Sequence, residues 1–435
     1  MVCRLSAILL LAYAATLTAA SRPPNVILIL ADDLGNRDLR CQGHPSIRTP
    51  VLDKLAANGL RLTDFHAGAS VCTPSRMALL TGAYPVRLGW TQGVLGNRMG
   101  IHHGMSPAAL TLAEIFQSEG YSTAISGKWH LGDQPSTRPH AQGFADSYYL
   151  THSNNQVKEI WRGDEVVEDP FDNRLLTQKF TAQAIRFVKE NRDKPFFLYL
   201  PYTAPHFPVE THPDWKGKST FGVYGDVVEE MDARIGELLA TISQLGLTER
   251  TLVIFTSDNG PQKGEQASAL PLRGEKWSAH EGGTRVPCIL SWPGVIPAAS
   301  ESATLVSAID FLPTLSRACG IDWKSKSQGK PIIDGLDLWD TLIGLEGAAR
   351  RTELLHWQGM NPEPQALRSG DWKLVLAPRE VDSKDAGSAL YHLRNDPSES
   401  KDLAFKYPEL VAKLTVRLKD LHAEIMAAPI LPISK

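Results

Sequence analysis

The sequence predicts an α/β fold: a large mixed, mostly parallel sheet sandwiched by helices, with a small antiparallel sheet and helix forming a C-terminal subdomain. Three observations predict it. Short apolar runs rich in β-branched and aromatic residues recur along most of the chain. Amphipathic stretches of helical period separate them. The character then changes after about Gly335. Strands covered on both faces read as continuous apolar runs, and parallel neighbours need helical crossovers between them.

The expected strands are Asn25–Ala31, Tyr121–Ser126, Pro195–Leu200 and Thr251–Thr256. Helical patterns lie between them at Pro50–Asn58, Ser75–Thr81, Leu110–Ser118, Leu176–Glu190 and Tyr224–Leu245. In the last part, Ala366–Leu376 and Ser388–Leu393 read as hairpin strands and Tyr407–Ile425 as a closing amphipathic helix. A chain of 435 residues exceeds what one compact core usually fills. The expected division is a main domain over residues 21–345 and an α+β subdomain over residues 346–435.

Residues 1–20 read as a signal peptide. Arg4 supplies the basic end, Ala7–Leu17 the apolar stretch and Thr18-Ala19-Ala20 the small-residue cleavage site. The apolar stretch falls short of the roughly 20 residues that a bilayer span needs. Export to a periplasmic or extracellular space (lysosomal in an animal) is therefore expected, without stable membrane association. The net charge of -3 lacks the basic excess of a nucleic-acid binder. Of five cysteines, Cys3 leaves with the leader. Cys41, Cys72, Cys288 and Cys319 are too widely and irregularly spaced to resemble a disulfide framework. No Asn-x-Ser/Thr acceptor is present, which favours a bacterial source.

The residues just after each apolar run carry the chemistry. Asn25–Ala31 ends in Asp32-Asp33, and Thr251–Thr256 in Ser257-Asp258-Asn259-Gly260. Tyr121–Ser126 ends in Gly127-Lys128-Trp129-His130, and Pro195–Leu200 leads to His206. Ligands of open parallel sheets bind outside the carboxyl ends of the strands. Asp32, Asp33, Asp258 and Asn259 are all oxygen donors, which suits Ca²⁺ or Mg²⁺ better than zinc. Taken alone they equally fit two unrelated Asx-turns.

Cys72 precedes a helical pattern in Cys72-Thr73-Pro74-Ser75-Arg76. Thr73 is the expected N-cap, Pro74 the first helical residue, and Arg76 lies within the first turn. The helix dipole and Arg76 favour negative charge beside the sulfur. The bland alternative is a half-buried cysteine before an ordinary helix.

These residues resemble a known family. Cys72-Thr73-Pro74-Ser75-Arg76, running on to Thr81-Gly82, is similar to the Cys-x-Pro-x-Arg signature of the formylglycine-dependent sulfatases. Gly127–Gly132 resembles the second signature of that family. Pro24–Gly35, Thr256–Gly260 and Lys276–Gly283 also resemble family motifs, and the likeness runs in register from about residue 23 to the C-terminus. Within the family the sequence looks most similar to the arylsulfatase A and N-acetylgalactosamine-6-sulfatase type, with Phe221–Leu239 carrying much of that similarity.

The resemblance implies an alkaline-phosphatase-like fold and hydrolysis of sulfate esters, on a sulfated sugar or an aryl sulfate. It implies that a formylglycine-generating enzyme converts Cys72 to formylglycine. Its hydrate would attack sulfur, and the second hydroxyl would let the sulfated enzyme release sulfate. Asp32, Asp33, Asp258 and Asn259, with the modified Cys72, would hold one Ca²⁺ (Mg²⁺ being the lesser candidate). Arg76 would stabilise the ionised diol. Lys128 and Lys276 would bind sulfate oxygens. His130 would accept the proton of the release step, and His206 would be the general acid at the leaving oxygen.

Candidates for holding the organic part are His44, Trp90, His102, His103, His152 and Trp161, aromatic and histidine residues on loops. Two alternatives belong to other classes. One is a phosphate or phosphonate ester hydrolase on the same fold, since both anions are tetrahedral. The other is a non-catalytic glycan-binding relative, which would lose a metal or nucleophile residue, and none is lost.

Overall fold

The alternation of side chains along the Asn25–Ala31 strand divides the molecule. Val26, Leu28 and Leu30 point into one hydrophobic cluster, and Ile27, Ile29 and Ala31 into another on the opposite face. All of the strand is buried, and each large apolar side chain so covered contributes about 1.5–3 kcal/mol. The computed structural model describes residues 22–90, 93–96, 104–264, 266–328, 332–358, 361–376 and 387–427. The expected signal peptide lies outside these.

Among the described residues, 10 strands form the main sheet. Their order is Ser300–Ser302, Leu60–Leu62, Cys288–Ser291, Thr251–Ser257, Asn25–Ala31, Phe196–Pro201, Ser122–Lys128, Asp146–Leu150, Ile160–Arg162 and Glu165–Glu168. The five strands from Thr251–Ser257 to Asp146–Leu150 run parallel. Cys288–Ser291 and the Ile160–Glu168 hairpin are antiparallel. The sheet is thus mixed and mostly parallel, as predicted.

Helices cover both faces. Cys72–Thr81, Leu112–Ser118 and Phe311–Ala318 pack on the first cluster, and Pro50–Ala57, Leu176–Glu190 and Gly222–Gln244 on the second. Leu112–Ser118 starts with a capping box between Thr111 and Glu114, two orphan donors satisfied reciprocally. The four-stranded antiparallel sheet runs Glu353–His356, Ala366–Ser369, Trp372–Val375 and Ala389–His392. With the Pro408–Ala427 helix it builds a third cluster, which Ala78, Tyr84, Val86, Leu305 and Ile309 of the main body share. No helix among the described residues is long and apolar enough to cross a membrane.

Three strands extend further than the sequence pattern predicts, to Lys128, Pro201 and Ser257. Lys128 is therefore a strand residue rather than a loop residue. This requires Gly127, at φ 143, where an added Cβ would stand 1.9 Å from the Pro201 carbonyl oxygen. Only glycine permits that approach.

Candidate active site

The adjacent strands end at the same edge and are tied together there. The Asp32 amide donates to the Ala204 carbonyl, and the Asp258 amide to that of Ala31. Asp33 and His130 adopt left-handed backbone, with φ of 66 and 61, a conformation that costs about 1 kcal/mol or more outside glycine. Each sits two residues beyond a strand end. The Asp33 turn is closed by its own amide, which donates to Asp258 Oδ1 at 3.2 Å.

Cys72 arrives from the opposite side as the first residue of the Cys72–Thr81 helix, with Val71 at the N-cap. This corrects the expected cap. Thr73 does not cap the helix; its Oγ1 accepts the Leu95 amide at 3.0 Å. The consequence is that Cys72 belongs to the first turn, 2% exposed, with Sγ 3.7 Å from Asp32 Oδ1. One turn on, Arg76 crosses to the strand ends. Its Nε donates to Asp258 Oδ2 at 2.9 Å and its Nη1 to the Lys128 carbonyl at 2.8 Å. Its Nη2 lies 2.8 Å from the same Asp258 oxygen without hydrogen-bond alignment.

The two lysines approach separate carboxylates. Lys128 Nζ is 2.6 Å from Asp32 Oδ2. Lys276 Nζ lies 2.6 and 2.8 Å from the two Asp33 oxygens. Lys276 comes from a loop pinned on both sides: its amide donates to Pro261, and that of Trp277 to Ser70, just before the Cys72 helix. His206 places Nε2 3.7 Å from Asp33 Oδ2. The structure thus brings Asp32, Asp33, Cys72, Arg76, Lys128, His206, Asp258 and Lys276 to one buried site. Asn259 joins it through Nδ2, which donates to Asp33 Oδ1 at 2.7 Å.

Burial dominates the electrostatics, and neighbouring charges redirect it. Desolvation would raise the Asp32 carboxyl, but Lys128, His206, Arg76 and Lys276 outweigh it and hold Asp32 well below its ordinary range. Asp258 goes the other way, pushed to about 7 by burial and by Asp32, against the pull of Arg76 and Lys128. Burial pushes the Cys72 thiol up to about 12 despite both lysines. An unmodified Cys72 is therefore a neutral thiol, and the thiolate is the nucleophilic form.

The histidines stay neutral at neutral pH. Burial carries His206 down to about 4 against the opposing pull of Asp32 and Asp33. Burial, then Lys128 and His152, hold His130 well below its usual value. Partners assign the tautomers. His206 Nδ1 faces the Phe207 carbonyl at 2.6 Å and Asn154 Oδ1 at 3.2 Å, both acceptors, so Nδ1 carries the hydrogen. His130 Nε2 lies 2.8 Å from the Leu95 carbonyl and donates to it, leaving a buried Nδ1 lone pair with no partner among the described residues.

Donor chemistry and spacing fit a hard divalent cation. Asp32, Asp33 and Asp258 offer carboxylate oxygens within 4.8 Å of one another, and an oxygen of Asp32, the Cys72 sulfur and a His206 ring nitrogen lie equally close together. Asn259 Oδ1 is buried and has no hydrogen-bond partner among the described residues. Three buried carboxylates repel unless positive charge lies among them, and an amide oxygen left unsatisfied is costly unless something accepts its lone pairs. Oxygen ligation of this kind suits Ca²⁺ or Mg²⁺.

Two polar residues of the site escape the sequence pattern. Ser153 Oγ stands 3.4 Å from the His206 ring, and Asn154 Oδ1 holds its Nδ1. Both lie beyond the Asp146–Leu150 strand, whose polar start (DSYYL) hides it among the apolar runs. The polar run Thr151–Asn155 behind those two tyrosines is the signal that could have found them.

Two candidates for the organic part of a substrate are structural instead. Trp90 is 2% exposed in the core, its Nε1 bonded to Gly93. His44 accepts the Ser46 and Ile47 amides and packs edge-on against Phe221. His102 and His103 lie outside the described residues. Cys41, Cys72, Cys288 and Cys319 are all free thiols.

Comparison with known proteins agrees with this geometry. The family described as Sulfatase matches residues 24–321, and the N-sulphoglucosamine sulphohydrolase C-terminal family matches residues 275–424. The chain is 35% identical to human (Homo sapiens) arylsulfatase A, over 97% of its own length and 91% of that protein. It is 30% identical to an N-acetylgalactosamine-6-O-sulfatase of Bacteroides thetaiotaomicron, covering 92% and 93% of the two chains. Among solved structures, the PsFucS1 sulfatase of Pseudoalteromonas sp. superposes with a TM-score of 0.85 at 28% identity, over 96% of this chain and 93% of that one. Family match, fold and site converge: the chain belongs to the sulfatase family, with its alkaline-phosphatase-like fold, and is a sulfuric ester hydrolase.

Proposed function

We propose that this enzyme hydrolyses sulfate esters of sulfated carbohydrates, using a formylglycine formed from Cys72 as nucleophile and Ca²⁺ as its metal. The observation that carries the reading is the placement of Cys72. Its Sγ is 3.7 Å from Asp32, inside the cluster of three carboxylates and two lysines, yet its thiol is held neutral. A plain cysteine there lacks the ionised form that nucleophilic catalysis needs.

As its hydrate, formylglycine supplies a geminal diol, one hydroxyl to attack sulfur and a second to release sulfate afterwards. Asp32, Asp33, Asp258 and Asn259 would hold the cation, which supplies Lewis-acid polarisation of a sulfate oxygen. The remaining roles fall to side chains on and beside the same strand ends. Arg76, locked between Asp258 and the Lys128 carbonyl, sets fixed positive charge beside residue 72. Lys128 and Lys276 bind the sulfate oxygens, exchanging carboxylate partners for the anion. His130, with its Nδ1 lone pair unengaged, accepts the proton of the release step. His206, oriented through Nδ1 by Asn154 and Phe207, presents Nε2 to the leaving oxygen. The negative charge of the bound sulfate ester raises its proton affinity, which lets a ring held low by burial act as the acid.

Residues 1–20 are assigned to export and residues 21–345 and 346–435 to the catalytic domain and its subdomain. A formylglycine-generating enzyme is the maturation partner. The test pairs mass with turnover. The tryptic peptide carrying Cys72, from protein co-expressed with that maturation enzyme, should be about 18 Da lighter than the cysteine form. The mature protein should then desulfate a panel of sulfated sugars. An unmodified, fully active protein would overturn the nucleophile, and faster turnover of phosphate than of sulfate monoesters would overturn the substrate class.

A further inference from the structure

Beyond the sulfate site, the same sheet edge holds a second opening. A cleft of about 530 Å³ is lined by Asp133, Arg138, His152, Gln156, Glu159 and Trp161, within the size range of small-molecule sites. It joins residues from three parts of the chain: the turn after His130, the segment after the Asp146–Leu150 strand, and the Ile160–Arg162 strand, next to the sheet's edge.

The cleft adjoins the catalytic centre through one short segment. Thr151 and His152 line the cleft, while Ser153 and Asn154, the next residues, touch His206. Residues 152 and 154 cannot be more than about 7 Å apart along the chain. The His152 ring also lies 6.2 Å from that of His130. Whatever carries the leaving oxygen at His206 therefore has the cleft directly beside it.

The lining has the chemistry of a sugar site. Trp161 and Arg138 form a stacked pair, the guanidinium lying over the ring 4.4 Å from its centroid, so the planar group presented here is shared between them. Arg138 is fixed through Nε to the Asp133 carbonyl and through Nη1 to Asp164. Planar carboxylate, guanidinium and amide groups at Asp133, Glu159, Arg138 and Gln156 offer acceptors and donors for ring hydroxyls. Acidic Asp133 and Glu159 face basic Arg138 and Lys158, so the cleft carries no net field for a second anion. His152 and Trp161, candidates from the sequence for the organic part, meet here.

We infer that this cleft binds the uncharged saccharide ring next to the sulfated one, so that the enzyme acts on sulfated oligosaccharides in preference to single sulfated sugars or aryl sulfates. The inference rests on the sulfatase reading above. Contacts to a remote ring count toward turnover when they orient the reacting bond.

The test compares N-acetylgalactosamine 6-sulfate, N-acetylglucosamine 6-sulfate and galactose 4-sulfate, each alone and within a disaccharide, with 4-nitrocatechol sulfate as the small probe. The disaccharide of the accepted sugar should show kcat/KM at least about tenfold above its monosaccharide, equivalent to one well-made polar contact. Trp161→Ala should remove that gain and leave 4-nitrocatechol sulfate turnover within about twofold. Because Trp161 also packs against the core, Glu159→Gln gives a milder second variant, expected to lower only the disaccharide value. Equal kcat/KM for the two sugar lengths, or parallel losses on all probes, would overturn the cleft. If no sulfate ester is turned over, the sulfatase reading fails instead. Titration of the same sugars against Cys72→Ala then decides the cleft: tighter disaccharide binding that Trp161→Ala abolishes supports it, and equal affinities refute it.

Discussion

Lys373, in the third strand of the small C-terminal sheet, places Nζ 2.8 Å from Glu281 Oε1 with both side chains sealed from solvent. The pair sits in a network that spans the two parts of the molecule. Lys373 also reaches Glu399, whose other oxygen accepts the Glu281 amide. Arg368 of the same sheet pairs with Asp64, and Arg285 with Glu281. Burial alone would raise the Glu281 carboxyl, but Lys373, His66 and the two arginines hold it well below its usual range. Glu281 opens the short helix just beyond the loop carrying Lys276, so this network braces the loop of the lysine proposed to bind sulfate.

Lys373→Met should therefore destabilise the protein by about 3–5 kcal/mol, since it strands a buried carboxylate. Urea unfolding measures this. The same variant should lose turnover while still folded, because Lys276 no longer has a fixed loop. Unchanged unfolding midpoint and turnover would show that the network is mere surface-like pairing.

Arg76→Lys is the sharper test of the site. Lysine keeps the positive charge but offers one ammonium where the guanidinium binds both Asp258 and the Lys128 carbonyl. Turnover should fall about 10²–10³-fold, the cost of losing one preorganised charge contact. Steady-state kinetics on any accepted sulfate ester read this out. A loss under about threefold would remove Arg76 from the transition state.

Much of this site is legible in the sequence because buried parallel strands announce themselves. Asn25–Ala31 and Thr251–Ser257 are continuous apolar runs, so the polar residues after them can be assigned to one sheet edge. The Asp146–Leu150 strand is not legible, because it begins with Asp146 and Ser147 and lies toward the antiparallel edge. Ser153 and Asn154 go unseen with it. Local propensity misplaces the cap at Thr73 because that hydroxyl serves a distant amide, Leu95. His44 and Trp90 fail as substrate residues for a related reason: local turn bonding and core packing use them, and residue type alone does not distinguish these uses.

Metal removal tests the carboxylate cluster. Chelation should lower the melting temperature and abolish turnover, and Ca²⁺ should restore both better than Mg²⁺. A cation at a hundredfold excess over its dissociation constant stabilises the folded state by about 2.7 kcal/mol. Asp258→Ala should keep its melting temperature unchanged on adding Ca²⁺, since it removes one of the three clustered carboxylates. Calorimetric scans with and without chelator check both statements. Equal responses of the variant and the parent protein would place the cation elsewhere.

Asp232 supplies a pH-dependent term far from the chemistry. From the Gly222–Gln244 helix it accepts the Val51 and Leu52 amides at 3.0 and 2.8 Å, capping the Pro50–Ala57 helix from outside. Burial raises its carboxyl to about 6 from an ordinary 3.8, although both amide bonds pull it down. The folded state thus holds this proton more tightly than the unfolded chain does. The extra stability is fully present below pH 3.8, falls as pH rises, and is gone above about 6. Asp232→Asn cannot ionise, so its stability lacks this component. The parent-minus-variant difference in unfolding free energy should fall by about 3 kcal/mol across that window. Urea titrations on both proteins at intervals through it give the slope. A flat difference would mean that Asp232 is ionised throughout, with the two amides and nearby water outweighing its burial.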